Sequence, residues 1–285
     1  MSTAPTHTHP HAAHAPASGL SFGGVLHSEW IKLHSLRSTL WCYLFTVVVM
    51  IGFGFLLASV YSSDVPLTEA AQQGVWVQVA TIGINFGQLI VAVLGALVIT
   101  GEFGTGMIRS TFAAVPKRFP ALLAKVLVFG VTTFVISLIA VAGTAALTAP
   151  VLPARGVQPD FGDSAVWLAC VGGAGYLALI GVMSLGIGTI IRSSAGGIAA
   201  SLGLILVIPI ILRVIAGVTN TQWPLNILAF LPSEAGARMF AYTVDEPPPP
   251  PDTITLEPWQ GLLVLAGWFL AAFVGGAILL QRRDA

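Results

Sequence analysis

The chain has 285 residues, of which 55% are hydrophobic and 8% charged, and its formal net charge is zero. Soluble domains carry about 25% charged residues, so this composition excludes an ordinary soluble protein. Nothing in the charge balance suggests nucleic-acid binding. The composition favours an all-α membrane protein.

Residues 1–20 form a His/Pro/Ala-rich tail that is too polar to bury a core, so we expect it to be disordered. It has neither the basic nor the apolar region of a secretory signal. Its clustered histidines leave metal binding open, but a flexible tail with incidental histidines is the favoured interpretation. The histidines are His7, His9, His11 and His14.

Residues 21–39 predict an amphipathic elbow helix that lies in the membrane interface, because apolar side chains recur on one face of Phe22–Ser38. Glu29 lies within that apolar stripe, so it either pairs with Lys32, one turn away, or contacts a partner. Ser38 and Thr39 are expected to cap the first span. The residues of interest in this elbow are Glu29, Trp30, Lys32 and Arg37.

Residues 40–285 contain six uncharged apolar runs of 18 or more residues, each long enough to cross a hydrocarbon core of about 30 Å. We predict six transmembrane helices from them. Cys42 and Cys170 lie inside such runs and are interpreted as core residues, with no disulfide or metal role. The runs are Leu40–Val60, Val77–Ile99, Val126–Ala149, Val166–Ile191, Ala195–Leu212 and Trp259–Leu280.

The basic residues are distributed asymmetrically about these spans. Nine of the twelve Lys and Arg residues lie on one side, together with both termini. Basic loops favour the cytoplasm, so both termini are expected there. We expect a multi-pass protein of a cell membrane, namely a bacterial plasma membrane. Tryptophans at span ends are expected at the headgroup boundary; they are Trp41, Trp76, Trp167 and Trp259.

The segment Thr100–Arg118, here called the insert, is a glycine-rich basic stretch between the second and third runs. Gly101, Gly104 and Gly106 would let the backbone leave the second span sharply. A short helix is expected from Thr105 to about Ala114. The lysine and hydroxyl that a phosphate-binding loop needs after its last glycine are missing, so nucleotide binding here is not expected.

Three inward-facing junctions carry Arg-Ser-Thr or Arg-Ser-Ser, at residues 37–39, 109–111 and 192–194. A hydroxyl after the arginine can accept backbone N–H bonds at a helix start. Docking of a partner at these tripeptides is an alternative.

The outer connection Val218–Glu257 contains an apolar stretch, Trp223–Leu231, that is too short to span, so we expect it to be re-entrant or interfacial. Pro232–Glu234 is expected to cap a short helix that runs to Ala241. Pro247–Pro251 predicts an extended segment. Gating and a simple variable loop both remain open for this connection.

No Asp, Glu, Lys, Arg or His lies inside any of the six apolar runs, which argues against a proton-driven carrier. Gly83 and Gly87 predict a close helix interface. Pro209 predicts a kink, and Arg213 is expected to reach the outer headgroups. The mild polar residues in the runs are expected to form interhelical hydrogen bonds; they are Asn85, Gln88, Thr132, Thr133, Ser137, Thr144, Ser184, Thr189 and Ser201.

Several of these motifs resemble the permease subunits of ATP-binding-cassette (ABC) transporters of the type-2 exporter class. They are Ser28-Glu-Trp-x-Lys-Leu-x-Ser-x-Arg-Ser-Thr-Leu-Trp41, Gly101-Glu-Phe-Gly-Thr-Gly-x-Ile-Arg-Ser-Thr111, Val115-Pro-Lys-Arg118 and the closing Arg283-Asp-Ala285. The resemblance covers nearly everything after residue 20. It implies an elbow helix, six spans and a coupling helix that docks on a separate ATPase.

The resemblance implies export driven by a cytoplasmic ABC ATPase dimer, which would hold the ATP and Mg²⁺; this chain itself would have no catalytic residue, cofactor or metal. The permease would pair with itself or with a similar subunit in the lipid bilayer. The alternative is a non-transporting scaffold, sensor or immunity component that docks a soluble partner. The implied coupling residues are Glu102, Phe103, Gly104, Thr105, Gly106, Ile108, Arg109, Lys117, Arg118 and Arg192.

Overall fold

The computed structural model describes residues 21–63, 66–108, 118–242 and 253–282, and all regular structure within these ranges is helical. The tail 1–20, the end of the insert and the run Pro247–Pro251 lie outside them. The α-helices are α1 (Phe22–Ser35), α2 (Arg37–Val60), α3 (Glu69–Thr81), α4 (Ile84–Thr105), α5 (Arg118–Thr148), α6 (Ser164–Ile191), α7 (Ser194–Leu202), α8 (Ile208–Thr219), α9 (Trp223–Leu228), α10 (Pro232–Ala237) and α11 (Pro258–Arg282).

Six helical stretches of the described ranges are long and apolar enough to cross a membrane, as the six apolar runs predict. The chain therefore has the architecture of a multi-pass membrane protein. Two of the six are composite, since α3 continues into α4 and α7 into α8. The stretches are Arg37–Val60, Glu69–Thr105, Arg118–Thr148, Ser164–Ile191, Ser194–Thr219 and Pro258–Arg282.

Helix α6 is the centre of the bundle and packs against α4, α5 and α11. Its most apolar window is 67% buried, against 22% for α2 and for α11. Small residues bring its backbone close to its neighbours: a Cβ on Gly95 of α4 would clash with the backbone oxygen of Gly181. Sequence periodicity could not reveal this centre, because lipid-facing and buried faces are both apolar.

The predicted close interface at Gly83 and Gly87 is confirmed. A Cβ on Gly83 would clash with the backbone of Met50 in α2, and one on Gly87 would lie 3.1 Å from the Met50 sulfur. Gly83 also lies in the break between α3 and α4. The second span is therefore two stacked helices joined at the point where it touches α2.

The fifth span contains a π-helical segment, Gly203–Val207, between α7 and α8, and Pro209 lies in the first turn of α8, whereas the kink expected at Pro209 stays a prediction. Proline cannot donate a backbone hydrogen bond, so the ladder must rearrange before it. Short π segments of this kind interrupt α-helices locally.

One expectation about the spans is wrong and another holds only in part. Trp76 is fully buried and donates its indole N–H to the backbone oxygen of Ala145 at 3.1 Å, so it does not face a headgroup boundary. The expected interhelical hydrogen bonds form at Thr133, with Tyr43, and at Gln88, with Tyr176. Thr132, Thr144 and Thr189 instead donate to their own helix. A threonine hydroxyl in a helix can donate to the backbone carbonyl four residues earlier, so it needs no acceptor on a second helix.

Short helices fill the described part of the outer connection, and the one that begins at Pro232 is where the sequence predicts it. The apolar stretch after Gln222 forms α9, and α10 begins at Pro232 and continues as a 3₁₀ turn to Phe240. The predicted side-chain cap at Pro232–Glu234 is wrong, since no side chain caps α10. Arg213 forms an ion pair with Glu234.

Candidate functional site: a buried charge cluster beside an apolar cavity

Helices α4 and α5 continue past the apolar runs on either side of the insert. As a result Glu102 lies inside α4 and Lys125 inside α5. The apolar runs are charge-free, but the helices built from them are not. This corrects the expectation that the spanning helices carry no Asp, Glu, Lys, Arg or His, because a helix ends where its backbone hydrogen bonds end, not at the first charge.

Four charged side chains meet at this end of the bundle: Glu29, Lys32, Glu102 and Lys125, here called the charge cluster. The Lys125 Nζ atom donates to Glu29 Oε2 at 2.5 Å and to Glu102 Oε1 at 2.7 Å. The Lys32 Nζ atom donates to Glu29 Oε1 at 2.6 Å and to Glu102 Oε1 at 3.5 Å. Two cations and two anions therefore link α1, α4 and α5 in one network.

Burial makes this network energetically important. Glu29, Glu102 and Lys125 are each at most 6% exposed, whereas Lys32 is 26% exposed. Burial alone lowers the pKa of the Lys32 amine, but the hydrogen bond to Glu29 and attraction from Glu102 outweigh it, so that pKa is raised. Ions are retained inside a protein only where a partner compensates their lost hydration.

Glu29 is explained by this arrangement. The sequence left two alternatives for it, pairing with Lys32 or contact with a partner, and it pairs with both Lys32 and Lys125. The face of α1 that meets the bundle carries Val25, Glu29 and Leu33, while Trp30 is half exposed. The helix begins at Phe22 as predicted, and its position in a membrane interface stays a prediction.

Lys125 is the functional candidate that the sequence reasoning missed. From the sequence, Lys125 counts only as one of the basic residues on the cytoplasmic side. It nevertheless directly follows Ala121–Ala124 and precedes a long apolar run. An isolated lysine at the edge of an apolar helix is the signal that could have found it. Its partner Glu29 is 96 residues away, however, and only the tertiary fold joins them.

The insert begins differently from the expectation. Gly101 and Gly104 lie inside α4, so they do not turn the backbone, and Thr105 ends α4 instead of starting a helix. Gly106 has a φ of +73°, which is the left-handed conformation that favours glycine at a helix end. Helical conformation resumes at Met107 and Ile108; residues 109–117, with Arg109 and Lys117, lie outside the described residues.

The coupling residues that the resemblance implies differ in solvent exposure where the structure describes them. Gly104, Thr105 and Gly106 are exposed, while Glu102 and Ile108 are buried. The glutamate side chain is thus held by Lys125 instead of being presented to solvent. A role for Glu102 in coupling stays a prediction. Because the side chain is buried, that role would be indirect.

Two arginine side chains make contacts beside the insert. The Arg192 guanidinium lies 5.2 Å from the centre of the Phe103 ring, and Arg192 itself ends α6 in a left-handed conformation. Arg118 donates from Nη1 to the backbone oxygen of Leu280 at 2.7 Å. These contacts connect the insert's flanks to α6 and α11.

The arginine-hydroxyl tripeptides act as helix caps in only one of the two described cases. The Ser193 Oγ atom accepts a hydrogen bond from the Gly196 N–H at the start of α7. The cap predicted at Ser38 and Thr39 is wrong, because α2 already begins at Arg37 and Leu36 precedes it without a side-chain cap.

An apolar cavity of about 520 Å³ opens beside the charge cluster. Side chains of α1, α2, α4 and α5 line it. Its charged lining consists of the four members of the cluster, and Ser38, Thr39 and Thr105 are also polar. Within the described ranges no three His, Cys, Asp or Glu residues come together as a metal site. Cys170 is buried and Cys42 half-buried, and both are free thiols.

No protein-family model matches the chain, and no curated protein matches it. The fold itself defines a helical, multi-pass membrane protein. The charge cluster and its cavity are the site from which a function can be argued.

Proposed function

We propose that this chain is the membrane-spanning permease subunit of an ATP-driven exporter, similar to type-2 ABC exporters, and that its insert docks a separate cytoplasmic ATPase. The proposal assigns no catalytic role to the chain itself. ATP and Mg²⁺ would bind the ATPase dimer, and two permease chains, identical or similar, would complete the transporter.

The observation that carries the proposal is the way the insert is anchored. The two helices that flank it, α4 and α5, are bound to each other through Glu102 and Lys125 and to α1 through Glu29. A load applied to the insert would therefore move three helices together. An ordinary connecting loop has no need for such a buried ionic joint, which costs desolvation free energy.

Charge distribution supports the cytoplasmic placement of this end. The positive-inside rule assigns the basic loops to the cytoplasm, and Arg109, Lys117 and Arg118 are all in the insert. Exposed apolar side chains on α2 and α11, including Phe45 and Leu263, leave ample surface for lipid and for a second permease chain.

The test is co-expression with ABC ATPase subunits encoded next to this chain, followed by co-purification and by ATP hydrolysis measurements in lipid. We expect an ATPase to co-purify and its rate to depend on the permease. The double variant Arg109→Glu with Lys117→Glu should weaken association at least about tenfold, since like charges facing each other across an interface cost several kcal/mol.

Arg155→Glu is the matched control, because Arg155 is an exposed arginine in the 3₁₀ turn Leu152–Arg155 that connects α5 to α6, away from the insert. It should retain the ATPase. The proposal fails if no ATPase binds the wild type, or if the double variant and the control behave alike. An ATPase that binds with an unchanged rate would favour the scaffold alternative.

A further inference from the structure

The cavity beside the charge cluster has the properties of a ligand site. Its volume of about 520 Å³ lies within the range of about 300–1,000 Å³ that small-molecule sites occupy. Leu94, Leu97 and Phe129 contribute to its apolar wall, and the charge cluster forms its polar end. A cavity with one apolar and one charged part suits an amphiphile.

One carboxylate oxygen at the polar end lacks a donor. Glu102 Oε2 is buried and accepts no hydrogen bond from any residue in the described ranges, although Glu102 Oε1 accepts from Lys125. A buried acceptor without a partner is costly. The terminal torsion of a glutamate is soft, so a small rotation can turn this oxygen toward a donor in the cavity.

We infer that this cavity binds a single-chain amphiphile with a protonated primary amine as its headgroup. The ammonium donates to the Glu102 carboxylate, and the alkyl chain lies against Leu94, Leu97 and Phe129. Binding requires this chain alone, so the inference goes beyond the proposed transport function and does not depend on an ATPase.

The charges select this headgroup over its alternatives. Lys32 and Lys125 are balanced within the cluster by two carboxylates, and the unmet requirement is for a donor. An anionic headgroup can accept hydrogen bonds from the two lysines, but it would leave Oε2 without a donor. A quaternary ammonium carries the charge but has no N–H group, whereas a charge-assisted N–H bond to a carboxylate is among the strongest available.

Equilibrium dialysis of radiolabelled dodecylamine against the full chain in phosphatidylcholine nanodiscs tests the inference, with empty nanodiscs subtracted. Choline headgroups carry no N–H donor and so do not compete. We expect one saturable site per chain. Dodecyltrimethylammonium should bind at least about tenfold more weakly, because it cannot form the charged hydrogen bond.

Two substitutions separate the cavity from the surrounding bilayer. Gly101 lines the cavity, and a Cβ there meets no atom within 4 Å, so Gly101→Phe should fill the cavity without a clash. We expect it to remove saturable binding. Gly52→Phe is the control, since Gly52 on α2 is equally open but does not line the cavity.

Glu102→Gln should reduce dodecylamine affinity about tenfold, since it replaces a charged acceptor with a neutral one. Thermal unfolding of each variant establishes that it is folded. Equal binding by wild type and Gly101→Phe, or equal affinity for the two amphiphiles, overturns the inference. The Gly101→Phe result stands even if Glu102→Gln does not fold.

Discussion

Ionic contacts of opposite character lie near the two ends of α4. Near its C-terminal end, Glu102 belongs to a cluster of which three members are at most 6% exposed. Near its N-terminal end, Ile84 and Asn85 share a smaller cavity with the ion pair Arg213–Glu234, whose side chains are 58% and 31% exposed. Similar groups thus occur in two dielectric environments.

The difference teaches that burial, not the count of ion pairs, decides what an ionic contact does. An exposed pair is screened by water and contributes about 0–1 kcal/mol. Removing one partner of a buried pair leaves an uncompensated charge and costs about 3–5 kcal/mol. The cluster end should therefore be intolerant of single substitutions, and the opposite end should tolerate them.

The largest effect is expected from Lys125→Ala. It leaves Glu29 and Glu102 buried with only the partly exposed Lys32, so we expect a loss of about 3–5 kcal/mol in the free energy of unfolding. Denaturant titration of the chain in detergent measures it. The double variant Lys125→Met with Glu102→Gln removes one charge of each sign and should lose less than Lys125→Ala; an equal or greater loss would contradict the ionic explanation.

A smaller loss is expected from Gly95→Ala, between the two ends of α4. The added methyl group would press on the backbone of Gly181, and overpacking of this kind costs about 1–3 kcal/mol. The same titration measures it. Gly143→Ala is the control, since a Cβ at Gly143 meets nothing within 4 Å. If both variants unfold alike, the contact between α4 and α6 is looser than described.

Loss of a neutral hydrogen bond should lower the free energy of unfolding by a similar amount at the two ends of α4. Tyr43 bonds with Thr133 at 2.8 Å near the cluster, and Tyr176 donates to Gln88 toward the opposite end. Each Tyr→Phe change leaves a buried polar partner unsatisfied and should cost about 1–3 kcal/mol. Thermal unfolding compares them. A much larger loss at one end would mean that charge is not what separates the ends.

The smallest effect is expected from Glu234→Gln, which removes the exposed ion pair with Arg213. We expect a change of about 0–1 kcal/mol that shrinks further at high salt, because exposed charges are screened. Unfolding at low and high ionic strength measures it. A loss as large as that of Lys125→Ala would invalidate the comparison between the two ends.

Much of the fold was predictable from local properties. Uncharged runs of sufficient length become helices, and the runs beginning at Val166 and Trp259 match α6 and α11 to within a few residues. The glycine pair at Gly83 and Gly87 likewise predicted a close contact. The helix ends next to the insert were less predictable, since Glu102 and Lys125 are helical without being apolar.

The sequence by itself determined the class of protein, the number of spans and the charge asymmetry, because these depend on length and composition. Only the tertiary structure decided that α6 is central and that Lys125 joins Glu29 to Glu102. Those partners are 96 and 23 residues away. A pairing across such sequence separations follows from how the helices pack. In a membrane protein the packing faces and the lipid faces are equally apolar, so the sequence pattern does not reveal the pairing.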